Sequence, residues 1–187
     1  MSMRNTANQW GSVSKTLHWL VVLLLIGQGI LGLTMGDFSR ETRMELTGLH
    51  KSIGITILML AVARLLWIVF NGRPDPAPGV TPLQHRLAKF GHIVLYALLF
   101  ALPITGWLLT SYADRPASWF GLFELPRLVG ENHDLHEMFE EGHEQLFWLL
   151  MLFAVGHAGA AIYHHMFQRD ATLSRMLPKG WLRDPRA

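Results

Sequence analysis

The chain has 187 residues, half of them hydrophobic and only 16% charged, with a formal net charge of +2. Cysteine is absent, which excludes disulfides, cysteine-ligated iron–sulfur clusters and C-x-x-C-H haem attachment, so a metal site has to lean on histidine. Four apolar runs each approach bilayer-spanning length, and no nucleic-acid partner is expected.

The first run, Leu17 to Met35, follows Arg4 and Lys15 as a signal peptide would, but it shows no A-x-A cleavage site and three further spans follow. It is read as helix 1, about residues 15–35. The second run, Ser52 to Phe70, gives a helix over about 48–70. The stretch NGRPDPAPGVTP after it, with Pro74, Pro76, Pro78 and Pro82, cannot be helical and reads as a short stiff connector. Phe90 to Thr110 gives helix 3, about 86–110, with Pro103 as a kink. The segment from Ala113 to Gly142 is the longest connection, and its acidic second half, ENHDLHEMFEEGHE, is expected to form an interfacial helix leading into helix 4. Leu146 to Phe167 gives helix 4, about 143–167. The fold class is therefore all-α, an integral membrane four-helix bundle in one domain over 1–187. A soluble bundle is the alternative, but its helices would each show a polar face, and LVVLLLIGQGILGL offers almost none.

Basic residues orient the spans. With the N-terminus inside, the inner segments hold Arg4, Lys15, Arg73, Arg86, Lys89, Arg169, Arg175, Lys179, Arg183 and Arg186, against Arg40, Arg43, Lys51, Arg115 and Arg127 outside. This bias sets both termini in the cytoplasm.

That topology pairs the histidines. His143 and His157 are fourteen residues apart, about 40° short of four full turns, so they share a face of helix 4 at depths roughly 21 Å apart. His50 begins helix 2 at the outer level with His143, and His18 begins helix 1 at the inner level with His157. Two pairs at two depths suit two bis-histidine haems, His50/His143 outer and His18/His157 inner. A single intramembrane histidine is more often a helix-to-helix hydrogen-bond donor; four in matched pairs favour ligation. Fourteen residues beyond His18 and His50 stand Gly32 and Arg64; helix 3 carries His92 and, fourteen later, Gly106. Glycine removes the side chain where a flat ring has to approach. Arg64 could pair with a haem propionate or a quinone oxygen, or simply snorkel to the interface. Gly156, Ala158, Gly159 and Ala160 around His157 permit close approach, to a cofactor or to another helix. His133, His136 and His143 are an alternative surface metal set, with gaps that match no common zinc pattern. A haem-free, histidine-lined ion or proton pathway is a third class.

LHWL at His18, LHKSIG at His50, VARLLW at Arg64, KFGHIVLYALLFALPITGW in helix 3 and the closing GHAGAAIYHH and RDATLSRMLP resemble the bacterial cytochrome b561 family, from about Ser14 to Pro178. The resemblance implies an inner-membrane di-haem b protein exchanging electrons between the periplasmic side and ubiquinone, with superoxide oxidase as the best-known activity. It puts the four ligands on His18, His50, His143 and His157 and the quinone-side histidine on His164. LHKSIG and helix 3 are closer to a branch encoded beside a periplasmic lipocalin-like protein, a possible partner.

Charge bears on the donor. The outer segments hold eleven acids (Asp37, Glu41, Glu45, Asp114, Glu124, Glu131, Asp134, Glu137, Glu140, Glu141, Glu144) against five bases. That field opposes an anion such as superoxide, unless Lys51 beside His50, with Arg43 or Arg115, focuses it locally. An acidic face would equally suit a basic protein partner. Superoxide oxidation with ubiquinone reduction is the leading expectation, and quinol oxidation feeding a periplasmic partner the alternative.

Overall fold

The computed structural model describes residues 2–178 and 180–182; Lys179, Arg183 and Arg186, part of the orientation argument, lie outside the described residues. Four long α-helices carry the chain: α1 Ser12–Thr34, α2 Arg40–Asn71, α3 Pro82–Tyr112 and α4 His133–Tyr163. A 3₁₀ turn, Met35–Asp37, extends α1, and a π-helical turn, His164–Gln168, extends α4. All four are long and apolar enough to cross a membrane, so the all-α membrane class holds.

The helices start earlier than hydropathy implies because polar caps precede the apolar runs. Ser39 Oγ accepts from the Thr42 N–H at 3.4 Å. Thr81 and Gln84 form a reciprocal capping box, with bonds of 2.8 and 3.3 Å, and Pro82 takes the first helical position. Asn132 Oδ1 accepts from the Leu135 N–H at 3.0 Å. The acidic stretch is helical and leads into the fourth span as expected; the start of that helix moves from about 143 back to His133, because nothing between Asn132 and the span breaks it. Of the proline-rich connector, residues 72–81 are non-helical as expected while its ends, Asn71 and Pro82, belong to α2 and α3, and Gly72, at φ +71°, closes α2 with its N–H on the Ile68 carbonyl.

The chain packs as two compact units, each taking a stretch of every long helix. One comprises the chain up to Leu20, Val62–Tyr96 and the chain from Met151 onward. Here the N-terminal segment, the connector and the C-terminal segment are tied by polar bonds: Asn5 Nδ2 donates to the Gly72 carbonyl, Arg175 to that of Asp75, Lys15 Nζ to that of Leu177 and Trp19 Nε1 to that of Met176. The other unit, Val21–Ala61 with Ala97–Leu150, holds the buried apolar cluster of Val21, Ile57, Ala61 and Leu99. Ala61 is fully buried; a small side chain there lets helices approach where lipid offers no hydrophobic drive. Leu23, Ile26, Ile30, Val69, Phe70, Leu152 and Val155 are exposed, as side chains facing acyl chains should be.

The second unit also contains a feature absent from the expected all-helical reading. Ser118–Trp119 and Phe123–Glu124 pair as a small antiparallel hairpin, turned at Phe120 and Gly121 with φ of +48° and +73°. Buried Ser52 pins it to α2: its Oγ accepts from the Phe120 N–H at 3.0 Å and shares its one proton between the Gly48 carbonyl at 2.9 Å and the Ser118 carbonyl at 3.1 Å, while Trp119 Nε1 donates to Thr56 Oγ1 at 3.1 Å. Ser52→Ala leaves two backbone groups unpaired, and is expected to loosen the hairpin by about 1–3 kcal/mol. Faster chymotryptic cleavage at Phe120 or Phe123 would report this. Cleavage at the wild-type rate would show that Trp119 alone holds the hairpin.

Candidate functional site

In the second unit the His50 and His143 rings lie 6.3 Å apart, centre to centre, at 69°. In the first unit His18 and His157 stand at the same 6.3 Å, at 79°. The structure thus brings together both pairs that helix periodicity and topology selected. A metal between two imidazole nitrogens at roughly 2 Å each, with each ring centre about 1 Å farther out, separates the centres by roughly 6 Å. Both pairs are therefore spaced to hold one iron between them.

Their surroundings fit haem as well. Gly32 and Gly106 flank the second-unit pair: a Cβ on Gly32 would lie 3.2 Å from His50 Cε1, and one on Gly106 3.3 Å from His143 Cε1. The flat ring each glycine admits is an imidazole. A cavity of about 720 Å³ opens beside this pair, lined by Gly32, His50, Gly106 and His143 and by the cations Arg43, Lys51 and Arg115. Glu140 and Glu144 line it too; its size and its three cations suit a macrocycle bearing carboxylates. The Nδ1 atoms of His18 and His50 are buried without partners.

His143 has an orienting group the sequence reading missed. Thr105 Oγ1 lies 3.0 Å from His143 Nδ1 and donates its own proton to the Leu102 carbonyl at 2.8 Å. Its oxygen therefore accepts from Nδ1–H, leaving the Nε2 lone pair for a metal. Gln28 was missed too; its Nε2 donates to the His50 carbonyl at 2.8 Å. A threonine or glutamine in an apolar run carries no spacing signal that marks its partner.

In the first unit His92 does lie beside the pair, its ring 5.1 Å from that of His157. This is closer than His18 and shorter than the roughly 6 Å that two rings on opposite sides of one metal need. Arg64 stacks its guanidinium over the Tyr96 ring at 5.6 Å, and Arg64 Nε, Tyr96 Oη and Trp67 Nε1 are all buried without partners. Orphaned donors such as Arg64 Nε and the Tyr96 hydroxyl, on adjacent apolar helices, call for an acceptor, such as a carboxylate or a carbonyl. Gly159 is not brought to the site. It is exposed, has open space where a Cβ would go, and sits two residues from His157, on another face of α4. The surface set is not assembled either: His133 faces Glu137 at 3.5 Å, His136 the Leu109 carbonyl at 3.2 Å, and His143 faces Thr105. His164 pairs with Asp170, a residue the sequence reading passed over inside RDATLSRMLP.

Comparison with known proteins adds the following. Residues 9–179 match the family described as prokaryotic cytochrome b561. Cytochrome b561 homolog 2 of Escherichia coli (strain K12) is 36% identical over 181 residues, 96% of each chain. A probable superoxide oxidase, CybB, of Yersinia pestis is 37% identical over 166 residues, 87% of this chain and 92% of its own. Cytochrome b561 homolog 1 of E. coli (strain K12) is 28% identical over 174 residues, 92% of this chain and 98% of its own.

Proposed function

The chain belongs to the prokaryotic cytochrome b561 family, and from that premise we propose that it passes single electrons from superoxide on the periplasmic side, through two bis-histidine haems, to ubiquinone. As a family member it is a multi-pass helical protein of the bacterial inner membrane that carries haem b and transfers electrons. The observation that carries the finer reading is the equal 6.3 Å separation of the two histidine pairs. His50 with His143 would hold an outer haem and His18 with His157 an inner one, in a single domain with both termini cytoplasmic.

When bound, a bis-histidine haem supplies reversible one-electron chemistry at an iron with no open position. The donor therefore has to act by outer-sphere transfer, and the chain's own contribution is to bring it near. Lys51, Arg43 and Arg115 line the second-unit cavity and can draw a small anion there against the acidic field of the outer segments. Arg64, with Tyr96 against it, offers donors near the other pair, to a propionate or to quinone. His164, at the end of the fourth helix, is the quinone-side group that hydrogen-bonds the carbonyl and moves a proton. His92 packs against His157 and keeps that ring in place.

Stopped-flow mixing of purified protein with superoxide, with and without ubiquinone, tests this directly. Haem reduction is expected with superoxide alone, and re-oxidation once quinone is present. If the haems stay oxidised, superoxide is not the donor. Charge refines the test: Lys51→Glu should slow the reduction several-fold, and salt should slow the wild type by screening attraction beyond about 10 Å at 0.1 M. The excess of acids among the outer segments favours a second reading, quinol oxidation coupled to a periplasmic, lipocalin-like partner. A rate that rises with salt and ignores Lys51 would move the assignment there.

A further inference from the structure

His164 opens the π-helical turn that ends the fourth long helix, and the chain reverses just after it at Arg169, whose φ of +53° is left-handed. The reversal returns Asp170 to the histidine. Asp170 Oδ2 lies 2.5 Å from His164 Nδ1, the Thr172 N–H donates to Oδ1 at 2.8 Å, and the Asp170 N–H donates to the His164 carbonyl at 3.2 Å. Asp170 is only 2% exposed. A π turn, a left-handed arginine and a buried carboxylate are each unfavourable alone, and their coincidence around one imidazole points to a functional constraint.

Burial pushes the Asp170 carboxyl up, but hydrogen bonds from Thr172 and His164 outweigh it and hold the group below its ordinary value. Ionised, it has no proton to give, so the short bond runs from His164 Nδ1–H to Oδ2. Nδ1 then keeps its proton whether the ring is neutral or cationic. Proton exchange is left to Nε2, since the hydrogen bond to Asp170 engages Nδ1.

We infer that Asp170 is a positioning residue that confines His164 to proton transfer at Nε2, directed at a quinone carbonyl. The inference rests on the reading of His164 given above. Reduction of one quinone to quinol takes two electrons, one from each of two donor molecules, and two protons. His164 delivers one proton from Nε2 to the oxygen it faces as that oxygen gains electron density, and the other oxygen takes its proton from water. The ring is left neutral with Nδ1–H intact, and Nε2 recovers a proton from the aqueous side. Asp170 stays an anion throughout.

The test uses full-length, haem-loaded protein. Histidine ¹⁵N NMR, with His164 assigned by difference against His164→Gln, should show a protonated Nδ1 in the wild type; a neutral ring protonated only at Nε2 overturns the inference without any variant at Asp170. Re-oxidation of reduced haem by ubiquinone-1 is then followed. His164→Gln should be about a hundred-fold slower and Asp170→Asn about ten- to a hundred-fold slower, both with unchanged haem spectra, and Asp170→Glu should recover part of the rate. If Asp170→Asn reacts as fast as wild type while His164→Gln is slow, the dyad fails and the quinone-side reading survives. If both react at the wild-type rate, that reading fails. Should Asp170→Asn fail to fold, the wild-type tautomer still decides.

Discussion

Alanine at His50 or His143 is expected to abolish one and the same component of the b-type spectrum, and alanine at His18 or His157 the other. Each variant should retain half of the extractable haem. The expectation follows from ring pairs at 6.3 Å within separate packed units, so that, with the ligation proposed above, losing either member would cost one haem only. The distinction from a merely structural histidine is sharp. A hydrogen-bonding histidine removed from a span lowers stability by about 1 kcal/mol and leaves both spectral components in place. Pyridine haemochromogen quantification with low-temperature spectra reads the result. Loss of the same component in His50→Ala and His157→Ala would break the pairing.

A matched pair of glycine substitutions should give the second large effect. Gly106→Leu is expected to remove the component that His143→Ala removes, because a Cβ alone would already stand 3.3 Å from His143 Cε1 and three further carbons must displace the ring. Overpacking of this kind costs about 1–3 kcal/mol when neighbours can yield; a ring holding a metal, as proposed for His143, would have little room to yield. Gly159→Leu should leave both haems, since nothing lies within 4 Å of a Cβ there and the residue is exposed. If both variants kept full haem content, Gly106 would be no more than a helix-packing residue. If both lost it, the cofactor would reach farther round α4 than the ring pairs imply.

The two glycines show how far the sequence could be read. Both sit on apolar helices, and the fourteen-residue spacing that singled out Gly106 was informative because it repeats a helical phase shared with a histidine. Gly159 had only composition behind it. Composition says that a helix can be approached closely, not from which side.

Thr105 and Asp170 were invisible for a related reason. The hydroxyl that orients His143 comes from a residue 38 positions earlier, and only the packing of α3 on α4 brings the two together. Asp170 looks like a solvated acid until the π turn and the left-handed Arg169 fold it under His164. A π turn inserts one residue relative to the α-helical phase, so periodicity extrapolated past Tyr163 misplaces whatever follows.

What the sequence determined by itself is whatever local chemistry governs. Four spans follow from the requirement that a chain in lipid satisfy its backbone internally over about 20 residues. The absence of cysteine narrows the metal chemistry, and the 3.6-residue repeat sets which histidines share a face. Tertiary structure decided the rest: the extension of α4 back to His133 under an asparagine cap, the hairpin fastened to Ser52 from 66 residues away, the shell around each imidazole, and the carboxylate beneath His164. These depend on contacts between segments far apart in the chain. The energy that selects such contacts comes from burial and from donor–acceptor pairing across helices, and neither is written in the periodicity of any one of them.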